Sequence, residues 1–166
     1  MAMNNKKVKV RESVFHLVYV STATVCFSQP QLLGLLAKAK GKNLQIGVTG
    51  LLIHKDGRFV QVLEGDEPVV RELFEVIRRD DRHQNVTLIL AEEIAERQFV
   101  DWSMGFHDLK DSDLLGMYGH DKPLGKALDI EGFKTNPHAC LHLLGFIREM
   151  QLVRKANEPR RDFGSA

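Results

Sequence analysis

The stretch LQIGVTGLLIHKDGRFVQVLEG, residues 44–65, reads as a β-hairpin: two β-rich runs joined by Lys55, Asp56, Gly57 and Arg58, with the Asp-Gly pair a strong turn signal. Alternation in the second run places Phe59, Gln61 and Leu63 on one side. A glutamine on that apolar side costs about 1–3 kcal/mol if it is buried unpaired. Two readings stand: Gln61 satisfies a backbone group or another side chain, or it lines a polar pocket for a bound heterocycle.

Towards the N-terminus, VFHLVYVS (14–21) alternates so that Phe15, Leu17 and Tyr19 share a face. It is followed by VCFSQPQLLGLLAKAKGKN (25–43), a helix capped by Ser28, with Pro30 in its first turn and its end at Gly41. Towards the C-terminus, EPVVRELFEVIRRDDRH (67–83) carries an amphipathic stripe of Val69, Val70, Leu73, Phe74 and Ile77, with Asp66 a candidate cap. Two strand-like runs follow, roughly 86–93 and 99–107, separated by a polar turn around Glu96 and Arg97.

The order βαββαββ predicts an α+β, ferredoxin-like sandwich: a five-stranded mixed sheet with two helices on one face. Right-handed crossovers bring the first and third strands together, making Tyr19 and Gln61 neighbours. Beyond Lys110, NPHACLHLLGFIREMQLVRK (136–155) predicts a helix of about four turns, with Leu141, Leu144, Ile147, Met150 and Leu152 as its apolar side. That helix covers the open face of the sheet. The chain thus divides into a tail (1–13), a core domain (14–109), a helical extension (110–157) and a second tail (158–166).

A net charge of +1, with basic residues dispersed among acidic ones, does not indicate nucleic-acid binding. The basic ends, KKVKVR (6–11) and RKANEPRR (154–161), read as solvated tails. No apolar run approaches the roughly 18 residues of a membrane span and no signal-type segment follows the start, so the expectation is a cytoplasmic protein. Cys26 and Cys140 form no disulfide framework. His138 and His142 flank Cys140 at helical spacing but lack a further ligand, so no metal is expected. Glu92, Glu93 and Glu96 read as solvated carboxylates at a strand end, and Gly47 and Gly50 as strand residues outside any phosphate loop.

These pieces together resemble the BLUF domain, the blue-light-sensing flavin module, from about Val14 to Leu109. The resemblance is carried by LVYVS with Tyr19, KNLQIGVTGLL with Asn43, GRFVQVLEG with Gln61, RRDDRHQNV with Arg82 and His83, and FVDWSMGF with Trp102 and Met104. It implies a bound flavin, usually FAD with FMN an alternative, between the two helices and the sheet. By the same resemblance Tyr19 and Gln61 meet the ring, Asn43 fixes its pyrimidine end, and Arg82 and His83 hold the ribityl and phosphate side. Lys42 is a further contact, although some relatives carry asparagine or histidine there; Arg78 and Arg79 could add phosphate contacts.

The implied function is a non-catalytic photoreceptor. Light drives a Tyr19–Gln61–flavin hydrogen-bond rearrangement, read as a red shift of the flavin absorption. Trp102 and Met104, placed on the last strand with one side-chain phase, pass the change to the C-terminal helix. The output is then a surface for an unidentified partner protein or a change in self-association, a dimer or larger. The competing classes are a ferredoxin-like module for a colourless ligand and a flavoenzyme.

Overall fold

The computed structural model describes residues 13–118 and 128–157, so the expected tails at 1–13 and 158–166 lie almost wholly outside the described residues. The hairpin forms, but its first strand starts at Thr49, because Leu44 and Gln45 belong to the preceding helix. Strands β2 (Thr49–Lys55) and β3 (Arg58–Gly65) pair antiparallel, with Lys55 opposite Arg58. Asp56 (φ 49°) and Gly57 (φ 74°) take the two left-handed positions of the turn, the backbone that an Asp-Gly pair supplies most readily. His54 Nε2 accepts a hydrogen bond from the Gly57 N–H at 3.2 Å.

Strand β1 (Val14–Ala23) precedes helix α1 (Gln29–Gln45), and helix α2 (Glu67–Arg78) precedes strand β4 (His83–Ile94). With the short strand β5 (Gly105–Asp108) they complete a five-stranded sheet of order β4-β1-β3-β2-β5, in which only β2 and β5 pair parallel. The expected α+β sandwich is therefore present, with β1 and β3 at its centre. Tyr19 and Gln61 are direct cross-strand partners.

Both faces of the sheet are covered, so β1 is buried along most of its length. One face carries Phe15, Leu17, Tyr19 and Leu63 against Val70, Leu73 and Phe74 of α2. The other carries Val18, Val20, Leu51, Ile53, Val60 and Val62 against three C-terminal helices. These are α3 (Asp111–Tyr118), α4 (Ile130–Thr135) and α5 (Pro137–Asn157).

Several expectations need correction. Helix α1 runs past Gly41 to Gln45, because Gly41 stays helical and the left-handed stop comes at Gly47 (φ 70°), a turn residue outside any strand. Asn43 therefore sits in the last turn of α1, not after it. Asp66 occupies the N-cap position of α2 without a side-chain cap bond. Helix α5 is longer than four turns and buries Cys140, Leu143, Leu144 and Ile147, while Leu152 is exposed. Strand β5 starts at Gly105 instead of 99, because the backbone N–H groups of Gln98 and Phe99 are taken by the Glu64 carboxylate and Trp102 N–H turns back to Phe99 O.

Candidate functional site

Tyr19 and Gln61 project from the two central strands into the space under α1 and α2. The Tyr19 hydroxyl donates to Gln61 Oε1, and Gln61 Nε2 donates to Met104 Sδ at 3.2 Å. Both Tyr19 and Gln61 are buried, and the phenol packs 5.3 Å from the Phe74 ring. Burial, reinforced by the negative charge of Asp80, raises the Tyr19 pKa well above its ordinary 10.0, so the hydroxyl remains a proton donor. Gln61 accepts from the phenol on one side and spends one amide hydrogen on a poor thioether acceptor on the other.

The three residues line a cavity of about 250 Å³, with Leu36, Leu73 and Ile77 among its apolar walls. A volume near the roughly 300 Å³ lower end of ordinary small-molecule sites suits a single ring system seated inside. Asn43, Lys42, Arg82 and His83 line the same cavity as Tyr19 and Gln61. Arg78, paired to Glu75 at 3.2 Å, and Arg79 do not line it.

Asn43 carries the most informative defect. It is buried, yet among the described residues its Nδ2 has no hydrogen-bond partner. Such an orphaned donor costs about 1–3 kcal/mol, a cost removed by a ligand carbonyl in the cavity. The edge of a flavin ring offers such acceptors, so the site fits that group.

His83 is held by Ser21 Oγ at 2.9 Å from Nδ1 and packs with its ring tilted 53° to that of Phe59, 5.3 Å between centroids. Burial lowers its pKa below 6.5, partly offset by Asp80, which favours the neutral imidazole. Arg82 is exposed and clamped by Asp80, with Nε 2.8 Å from Oδ1 and Nη2 on Oδ2. The guanidinium is the main cause that holds the Asp80 carboxyl down at about 2.

Asp80 and Lys38 also line the cavity, beyond the residues expected from sequence. The signal that marks Asp80 is its Asx turn, in which Oδ1 accepts from the Arg82 N–H at 3.0 Å.

Trp102 and Met104 do not share a face. Met104 belongs to the cavity-side core, whereas Trp102 packs in the opposite core, 5.7 Å from Phe99 and with Lys155 Nζ of α5 5.8 Å above its ring. Both lie before β5, where no strand alternation phases them. Gly105 is what admits the indole, since a Cβ there would sit 2.8 Å from the Trp102 ring. His138 and His142 are exposed while Cys140 is buried, its thiol pushed up to about 12 by burial, so the three do not converge. Glu92, Glu93 and Glu96 are exposed.

A model of the family described as sensors of blue-light using FAD matches residues 14–105. The photoactivated adenylate cyclase subunit beta of Euglena gracilis is 37% identical over 89 residues, which are 53% of this chain and 10% of that protein. The chain therefore spans only about a tenth of the cyclase subunit, and the match is confined to the sensor domain. Among solved structures, the dark state of the BLUF protein BlrB superimposes with a TM-score of 0.69 at 26% identity, covering 84% of this chain and 98% of that one. The photo-activated state of BlsA gives 0.58 at 29% identity, covering 76% and 94%. A family match over more than half the chain, on a fold whose two central strands turn a hydrogen-bonded tyrosine and glutamine towards one cavity, makes this protein a member of the BLUF family of flavin-using blue-light sensors.

Proposed function

We propose that the cavity between α1, α2 and the sheet seats the isoalloxazine ring of FAD, and that the Tyr19–Gln61–Met104 chain is the light-operated switch. The observation that carries this reading is the hydrogen-bonded chain itself, buried and lining the cavity. Asn43 would meet a ring carbonyl with its unpartnered Nδ2. Lys38, Lys42 and Arg82 are the cations lining the cavity, and all three are exposed, which suits a phosphate-bearing tail left outside. FAD is preferred to FMN because the family description specifies it.

The flavin, when bound, absorbs blue light and becomes a stronger oxidant. The chain's own residues do the rest. Tyr19, kept protonated by burial, holds its hydroxyl proton on a direct path to Gln61 Oε1. Proton movement along this path needs the near-contact geometry that the cross-strand register imposes. The amide then rearranges, by rotation or by tautomerisation, and its bond to the Met104 sulfur gives way first because a thioether is the weakest acceptor in the chain. Met104 lies one residue before β5, so the release reaches the segment packed against α5. The output would be read by a partner protein or by a second copy of the chain, without catalytic turnover in this domain.

The test is a light-minus-dark absorption spectrum of the protein reconstituted with FAD. A reversible red shift of the flavin band is expected. A protein that takes up no flavin, or a bound flavin whose band does not move, contradicts the reading.

A further inference from the structure

Glu64 is fully buried on β3, three residues beyond Gln61 and on the opposite face of the sheet. Its carboxylate accepts from the Gln98 and Phe99 backbone N–H groups, each at 3.0 Å, and from His16 Nδ1 at 3.0 Å. Because a carboxylate oxygen only accepts, His16 Nδ1 is the donor in that contact, and among the described residues His16 Nε2 is buried without a partner. Arg97 reinforces the anchor, with Nη1 on Glu64 O at 2.7 Å and on Thr49 Oγ1 at 2.9 Å, and Nη2 on Gly47 O at 2.8 Å.

The Gln98 peptide also faces the other way. Arg148 Nη1 of α5 donates to Gln98 O at 3.3 Å, and Gln151 Nε2 of the same helix donates to Phe106 O at 2.8 Å. The segment between these two contacts contains Met104. It is therefore fixed to β3 at Gln98 and Phe99, held to the switch at Met104, and bonded to α5 on both sides of that residue. Charge-assisted bonds to a buried carboxylate are the strong members of this set, and the Gln61–Met104 contact is the weak one.

We propose, resting on the photoreceptor reading above, that Glu64 is a positioning residue for signal output. It holds residues 98 and 99 still, so that displacement of Met104 strains the contacts of Arg148 and Gln151 and moves α5 instead of dissipating in the loop. Glu64→Gln sets an NH2 group against N–H donors and removes the charge, loosening the anchor without touching the cavity.

The experiment is amide hydrogen exchange by mass spectrometry on the FAD-loaded protein, in darkness and under blue light, with the absorption shift recorded on the same samples. In the wild type, light should change exchange in residues 98–106 and in α5. In Glu64→Gln the red shift should keep its amplitude while the light-dependent change in α5 falls several-fold. Arg148→Ala, at the accessible end of the same bridge, keeps the test alive should Glu64→Gln fail to fold; it should weaken the α5 response and leave that of residues 98–104. A wild-type α5 response in either variant overturns the proposal, as does loss of the red shift in Glu64→Gln. Absence of any red shift in the wild type overturns the photoreceptor reading itself, and this proposal with it.

Discussion

At the scale of single residues, the site is a set of polar groups whose burial makes sense only as a group. Tyr19 and Gln61 satisfy each other, but Asn43 Nδ2 is left over. Asn43→Leu should therefore bind FAD about 5- to 150-fold more weakly, the equivalent of 1–3 kcal/mol, measured by fluorescence titration; unchanged affinity would remove Asn43 from the site. His83 supplies a pH dependence. Its folded-state pKa is lowered from 6.5, chiefly by burial, so between 6.5 and the lower folded value the unfolded chain binds more protons than the native one. Its contribution to stability is thus complete above pH 6.5 and lost as pH falls through the folded value. The thermal midpoint of His83→Gln, followed by circular dichroism, should fall less between pH 7 and 5 than that of the wild type, and equal slopes would contradict this assignment. The apolar-side placement of Tyr19 and Gln61 was legible in period-two alternation and their adjacency in the order of elements, whereas the orphaned amide of Asn43 and the Asp80 clamp on Arg82 were not, because both depend on where α1 ends and how the chain turns after α2.

At the scale of elements, the hairpin and both core helices followed from alternation, an Asp-Gly turn and apolar stripes, and the central pairing of β1 with β3 from the order of elements and right-handed crossovers. The segment before β5 did not. FVDWSMGF has strand-like composition, but a buried carboxylate on a distant strand captures the N–H groups that a ladder would need, and no local pattern announces that. The loss of strand phase is what separates Trp102 from Met104. Because Trp102 packs with Phe99 and α5 and not in the cavity, Trp102→Phe should leave the flavin absorption and its light-induced shift unchanged. A lost or altered shift in that variant would place the indole in the switch after all.

At the scale of the whole molecule, two cores share one sheet, and the second exists because the C-terminal helices cover Val18, Val20, Leu51, Ile53, Val60 and Val62. The covering helix was legible from its apolar stripe, although its inner face is Cys140, Leu143, Leu144 and Ile147, a rotation that only packing against the sheet decides. Ile147→Ala should cost about 2–5 kcal/mol of stability through the cavity it leaves, read as a lower urea midpoint with an unchanged slope. A cost below about 0.5 kcal/mol, the range of an ordinary surface change, would mean that α5 is not docked on the sheet. The arrangement places the Tyr19–Gln61 pair at the centre of the sheet, with a ligand cavity on one side and a helical output layer on the other.

Photoactivity of that pair is the property on which signalling by this fold depends. The most direct measurement is the light-minus-dark spectrum of FAD-loaded Tyr19→Phe beside the wild type. The expected result is flavin bound in both proteins, with a persistent red shift in the wild type and none in the variant. An undiminished red shift in Tyr19→Phe would contradict the account.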